Sequence, residues 1–98
     1  MATTSVLSKI KLSLRISHSV LDKDIQAEID ACLADLKVCG ILNPDATDPL
    51  IFNAIKLWCR SIYTDDTVKG AEYLRRYDAL KSCLMMAEGY SWKDESNE

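Results

Sequence analysis

The sequence predicts an all-α fold, a small bundle of about four helices around a buried third helix. Three observations predict it. Apolar residues recur at helical spacing in four successive segments. Turn and cap signals separate the segments. The third segment is apolar over most of its circumference, which demands cover on several sides. The chain has 98 residues, 48% of them apolar and 28% charged, the profile of one globular domain with a single modest core. We place that domain at residues 1–90 and expect 91–98 to be a disordered polar tail, charged and without periodicity apart from Trp92.

The first segment carries two patterns. Leu7, Ile10 and Leu14 recur at helical spacing, while Ile10, Leu12, Leu14 and Ile16 alternate with Lys11, Ser13 and Arg15 as in a strand. A lone strand would find no partner in this chain, so a short helix is expected. The second helix is expected to be capped by Asp22 and to run to about Cys39. Its stripe is Ile25, Ile29, Cys32, Leu33, Leu36 and Cys39. Gly40 fits the left-handed position just past its end, with Ile41 folding back on the last turn. A weaker stripe of Ala27, Ala31, Ala34 and Val38 lies on the opposite side. Asp24, Glu28 and Asp35 border it on one edge and Lys23, Asp30 and Lys37 on the other.

Asn43-Pro44 signals a turn, and Asp48-Pro49 reads as an N-cap followed by proline at the first helical position. The third helix spans Pro49 to about Tyr63. Its polar arc is Asn53, Lys56, Arg60 and Thr64, with Ser61 apart, and the rest is apolar. Thr64-Asp65-Asp66-Thr67 breaks the pattern and offers a further cap. A fourth helix covers roughly Val68 to Glu88, with Tyr73, Tyr77, Leu80 and Leu84 as its stripe and Leu74 and Met85 protruding beside it. Gly70 weakens its first turn slightly.

Little in the chain points to catalysis, and we expect no enzyme. The single histidine, His18, sits in a Ser-His-Ser turn with only Ser17 and Asp22 nearby. No phosphate-cradling glycine loop, nucleophile elbow or zinc-protease motif occurs. Cys32, Cys39, Cys59 and Cys83 form no metal-ligand spacing and read as reduced thiols on or beside apolar helix faces. Asp65-Asp66 lacks the pattern of a calcium loop. No metal and no cofactor is expected. The net charge of −3 and pI near 5.1 argue against electrostatic binding along a nucleic-acid backbone. The cations of the fourth helix, Lys69, Arg75, Arg76 and Lys81, point in different directions, so a DNA-recognition helix is not expected. Lys9 and Lys11 interrupt the first apolar stretch, unlike a secretory signal, and no segment reaches membrane-spanning length; a cytoplasmic protein is the expectation.

Surfaces remain. The alanine stripe Ala27, Ala31, Ala34 and Val38 is either a solvent face built from good helix formers or a place for close helix approach. The surplus apolar residues of the third helix, Leu50, Phe52, Leu57 and Tyr63, are either covered by the first and fourth helices or offered to other chains. With Leu74 and Met85 these ten residues are the candidate interface.

The succession of Leu14-Arg15-Ile16-Ser17, then Ile25, Ile29 and Leu33, then Asp48-Pro49-Leu50-Ile51-Phe52-Asn53-Ala54-Ile55 leading into Trp58 and Tyr63, and finally Glu72-Tyr73, Tyr77, Leu80, Leu84 and Tyr90 resembles a known family. It is similar to the head–tail connectors, or head-completion adaptors, of long-tailed bacteriophages and prophages, over about Val6 to Tyr90. The resemblance implies a structural virion protein at the head–tail junction, made in the bacterial host cytoplasm. It implies a homo-oligomeric ring docked on the portal protein, extending a channel through which DNA passes without specific binding, and accepting the next connector or tail protein. The residues alone leave open another reading, a small cytoplasmic helical adaptor or regulator acting by protein–protein binding.

Overall fold

The computed structural model describes residues 6–41 and 44–87. Four helices follow in order: α1 (Val6–Leu14), α2 (Asp22–Val38), α3 (Pro49–Tyr63) and α4 (Thr67–Met86). The all-α expectation holds, including a helix where the first segment alternated. Asn43 of the connector, Glu88, Gly89 and Tyr90 beyond α4, and the 91–98 tail lie outside the described residues.

The caps show how short sequence signals set the boundaries. Asp48 accepts hydrogen bonds from the Leu50 and Ile51 amides at 2.8 and 3.5 Å, with Pro49 at the first helical position. Asp66 does the same for Val68 and Lys69 at 2.9 and 3.1 Å and opens α4. α2 ends as expected: Gly40 is left-handed at φ 97°, its N–H donates to the Lys37 carbonyl, and the Ile41 N–H donates to Leu36. The same double bond closes α1, where Arg15 donates to Leu12 and Ile16 to Lys11. Here the left-handed residue is Arg15, at φ 62°, a conformation that crowds any Cβ.

One boundary differs from expectation. Asp22 does not cap α2: Leu21 holds the N-cap position and no side chain accepts there. Asp22 instead lies in the first turn, 2.7 Å from Lys11 Nζ of α1. Its Oδ1 accepts no well-aligned hydrogen bond, so the contact is a charge pair. The tertiary ion pair wins over the local cap, and with Asp24 it still complements the helix dipole.

α3 is the hub. It packs against α1, α2 and α4, most extensively against α4. Ile51, Ala54, Ile55 and Cys59 are buried from α3, meeting Ile10 of α1, Ile25, Ile29, Cys32 and Leu36 of α2, Ile41 just beyond, and Tyr77 and Leu84 of α4. Cover is incomplete, however. Leu50 and Ile62 keep nearly half their surface in solvent, so α3 is not shielded on every side. Of the four cysteines expected on or beside apolar faces, Cys32 and Cys59 are core residues, Cys39 is half-buried at the end of α2 and Cys83 is exposed. Cys83 falls outside the buried stripe of α4, which holds Tyr77 and Leu84 seven residues apart.

Two outcomes follow from this geometry. Ile55→Ala is expected to lower unfolding stability by about 2–5 kcal/mol in denaturant titration, because its side chain is fully buried in the core; near-neutral stability would contradict the hub. Arg15→Gly is expected to raise stability by about 0.5–1 kcal/mol, since relief of the left-handed Cβ exceeds the added freedom of the unfolded chain. An unchanged or lowered midpoint would contradict that.

Candidate association surface and the polar seam beside it

The face that α2 turns toward α3 and α4 is not wholly apolar. Glu28 and Asp35, two turns apart, each receive a hydrogen bond from another helix. Trp58 Nε1 of α3 donates to Glu28 Oε1 at 3.0 Å. The Tyr77 hydroxyl of α4 donates to Asp35 Oδ2 at 2.6 Å, and Lys81 Nζ lies 3.0 Å from the same oxygen. The Trp58 and Tyr77 rings meet edge to face, centroids 5.2 Å apart, and Lys81 sits 5.1 Å from the Tyr77 centroid. α2 and α4 are not among the closely packed helix pairs of the described residues; these long side chains bridge them. Glu28 and Asp35, expected to border the alanine stripe of α2, are therefore the acceptors of an interhelical seam.

The seam sets the protonation of its members. Partial burial pushes the Asp35 carboxyl up, but the hydrogen bonds from Tyr77 and Lys81 outweigh it and leave it below the usual carboxylate range. Partial burial likewise pushes the Lys81 ammonium down, and Asp35 more than compensates, leaving it above an ordinary lysine. Burial drives Tyr77 far up, reinforced by its bond to Asp35, so its hydroxyl remains a donor. Burial pushes the Cys32 and Cys59 thiols up to about 12, which keeps them protonated at neutral pH and so poor nucleophiles.

Beside this seam lies an apolar groove. α4 starts close against the end of α3: a Cβ on Gly70 would stand 3.3 Å from both the Ser61 carbonyl oxygen and Thr64 Cγ2. Gly70 thus does more than weaken a turn; it permits this approach. The groove between the two helices has a volume near 480 Å³ and includes Trp58, Gly70 and Ala71, with Ile62 and Leu74 on its walls. Those two side chains are each 46% exposed.

The ten interface candidates divide. Ala27, Ala31 and Ala34 are exposed, as is Val38 at 85%. Leu50, Leu74 and Met85 are partly exposed large apolar residues, and only Leu74 of these lines the groove. Phe52, Leu57 and Tyr63 are half-buried against the core rather than surplus, and Phe52 is further covered by Lys9 and Lys56, each 5.9 Å from its centroid. Sequence reasoning missed Ile62 and the groove role of Trp58. Their spacing of one helical turn was a usable signal, but only the position of α4 separates a groove from a core face. His18 is exposed in its turn, and no group of side chains among the described residues could hold a metal ion. Arg75 and Arg76 both bond Glu72, Lys81 bonds Asp35 and Lys69 faces elsewhere, so the cations of α4 do diverge.

No family model, curated protein or solved structure matches the chain. Among the described residues no helix is long and apolar enough to cross a membrane.

Asp35 titrates lower in the folded chain than in the unfolded one. Its contribution is therefore complete above about pH 4 and is lost as pH falls through the folded value. Tyr77→Phe is expected to cost about 1–2 kcal/mol at neutral pH, moderated because Asp35 remains partly hydrated. The difference from the unsubstituted protein should shrink below about pH 4. A difference independent of pH would contradict the seam.

Proposed function

We propose that this chain is a structural protein acting by association: a head–tail connector subunit of a tailed-phage virion. In this reading copies form a ring, dock on the portal protein, extend the channel that DNA traverses, and accept the next connector or tail protein. The likeness of its hydrophobic pattern and short peptides to that family, from Val6 to Tyr90, supports the identity of the assembly. The observation that carries the mode of action is the apolar groove beside Trp58, with Ile62 and Leu74 half in solvent. A hydrophobic groove on a chain this short offers area to a partner. The exposed small-residue face of α2 is a second, unlike surface. Contact between unlike surfaces is the arrangement that generates rings when its rotation closes. The proposal assigns no catalytic group, metal or cofactor, and no specific DNA contact in the channel.

The same groove favours a second reading. A cleft of this size accepts the side chains of one partner helix, as a monomeric or dimeric adaptor would use it.

Light scattering across a concentration series, with and without portal protein, separates the two. A connector is expected to give a defined closed oligomer at high concentration or on the portal. Leu74→Glu and Ala31→Glu are expected to abolish it while leaving the melting transition within a few degrees, since Ala31 is exposed and Leu74 is half in solvent and outside the buried core. A chain that stays monomeric or dimeric throughout and ignores the portal contradicts the connector reading. Assembly untouched by either substitution contradicts the surfaces named for it.

A further inference from the structure

A second cleft, of about 400 Å³, opens where the end of α1, the end of α3 and the start of α4 converge. Three cations line it, one from each region: Arg15, Arg60 and Lys69. No carboxylate lines it, although acidic residues outnumber basic ones in the chain, 15 to 12. Outside the cleft, among the described residues, Lys11 is paired with Asp22, Arg75 and Arg76 with Glu72, and Lys81 with Asp35, while Lys9, Lys23, Lys37 and Lys56 form no ion pair and do not share a cleft with one another. Among the described residues none of the three cleft cations forms an ion pair, and the Arg15 and Lys69 side chains make no hydrogen bond. Of the acids nearest in sequence, Asp66 is committed to the backbone amides of Val68 and Lys69 and Glu72 to Arg75 and Arg76, and Asp65, next to Thr64, does not line the cleft. Glu28, beyond Tyr63, is engaged by Trp58; Asp24 also lies on that side, outside the cleft.

The cleft is also organised. Arg60 Nε donates to Ser13 Oγ at 3.2 Å, and the guanidinium carbon lies 5.9 Å from the Tyr73 centroid. That fixes the arginine by one edge and one face and leaves its outer nitrogens as donors. The hydroxyls of Ser13 and Thr64 add further polar groups, and Tyr63 and Tyr73 supply aromatic walls. Arg15 adds an independent observation. It occupies the left-handed position that glycine fills at the end of α2, and the cost of holding an arginine there has no return in packing, since its side chain is exposed.

We infer that this cleft binds a phosphate group, inorganic or carried as a monoester by a nucleotide or by the 5′ end of a nucleic-acid strand. A phosphate monoester bears close to two negative charges and three acceptor oxygens, which suits two arginine forks and one ammonium. A carboxylate, with one charge and two oxygens, leaves part of that set uncompensated. The aromatic walls suit a base next to the phosphate. The acidic balance of the rest of the chain confines the contact to one or two phosphates rather than a long backbone track. The site does not depend on ring formation, and either idea survives failure of the other.

The test is titration of the isotope-labelled full chain with inorganic phosphate, adenosine monophosphate and a 5′-phosphorylated thymidine octanucleotide, followed by NMR at low and physiological salt. Saturable shifts around Arg15, Arg60 and Lys69 are expected, with the monophosphate nucleotide tighter than inorganic phosphate. Lys69→Gln, whose side chain holds nothing in the fold, is expected to weaken binding roughly tenfold, the loss typical of one charged hydrogen bond. Arg60→Gln should do at least as much. Arg15→Gly should weaken binding while raising the melting temperature, a pair of opposite changes that a purely structural role would not produce. Arg75→Gln, which removes the same charge away from the cleft, should leave affinity within about twofold. Tighter binding of the octanucleotide through the same three residues assigns the phosphate to a strand, and tighter binding of the mononucleotide assigns it to a free ligand; both support the site. Absence of saturable shifts, shifts indifferent to all three cleft substitutions, or tighter binding of a glutamate-rich peptide than of any phosphate overturns it.

Discussion

A fifteen-residue helix that is apolar over most of its circumference cannot stand at a surface, and the rest of this protein is arranged around that constraint. Ile51, Ala54, Ile55 and Cys59 point in directions that one neighbouring helix could not cover, so α1, α2 and α4 each take a share. Each of the three then needs only a single buried stripe, and two of them are short on buried residues of their own: α1 contributes Ile10, and α4 contributes Tyr77 and Leu84.

The polar seam is a consequence of placing α2 and α4 on either side of that hub. The gap between them is spanned by the longest side chains available, and those carry polar ends. Tyr77 and Trp58 are amphipathic, with apolar rings in the core and a single donor each that must be satisfied. Asp35 and Glu28 meet those donors, so the seam specifies how α4 and α3 dock on α2 in a way that the apolar contacts alone, being directionless, do not. Where α3 runs out of cover, beside Trp58 and Ile62, the close approach allowed by Gly70 leaves a groove instead of a sealed core. The fold therefore generates its association surface from the same surplus that generates its core.

What was legible in the sequence was local. Asp48-Pro49 and Gly40 each act within a few residues and work as read, and the cap offered by Thr64-Asp65-Asp66-Thr67 is supplied by Asp66. The period of the α3 and α4 stripes is a property of single helices, and it identified the hub. The protrusion of Leu74 and Met85 follows from the same wheel. What escaped depends on which helix lies against which. Asp22 left its capping role for Lys11 of another helix, and Phe52, Leu57 and Tyr63 are covered to a degree that the α3 wheel alone does not state. Glu28 and Asp35 read only as acids bordering the alanine stripe because their partners, Trp58 and Tyr77, lie in other helices. The cations of the second cleft come from α3, α4 and the turn after α1, and nothing in their spacing along the chain joins them.

The most direct measurement of the central claim is native-state hydrogen exchange resolved by residue. If α3 is the hub, the amides of Ile55 to Cys59 exchange only through global unfolding, with the highest protection in the chain, while α1 and the start of α4 open at lower free energy. Protection in α3 equal to or below that of α1 would contradict the account.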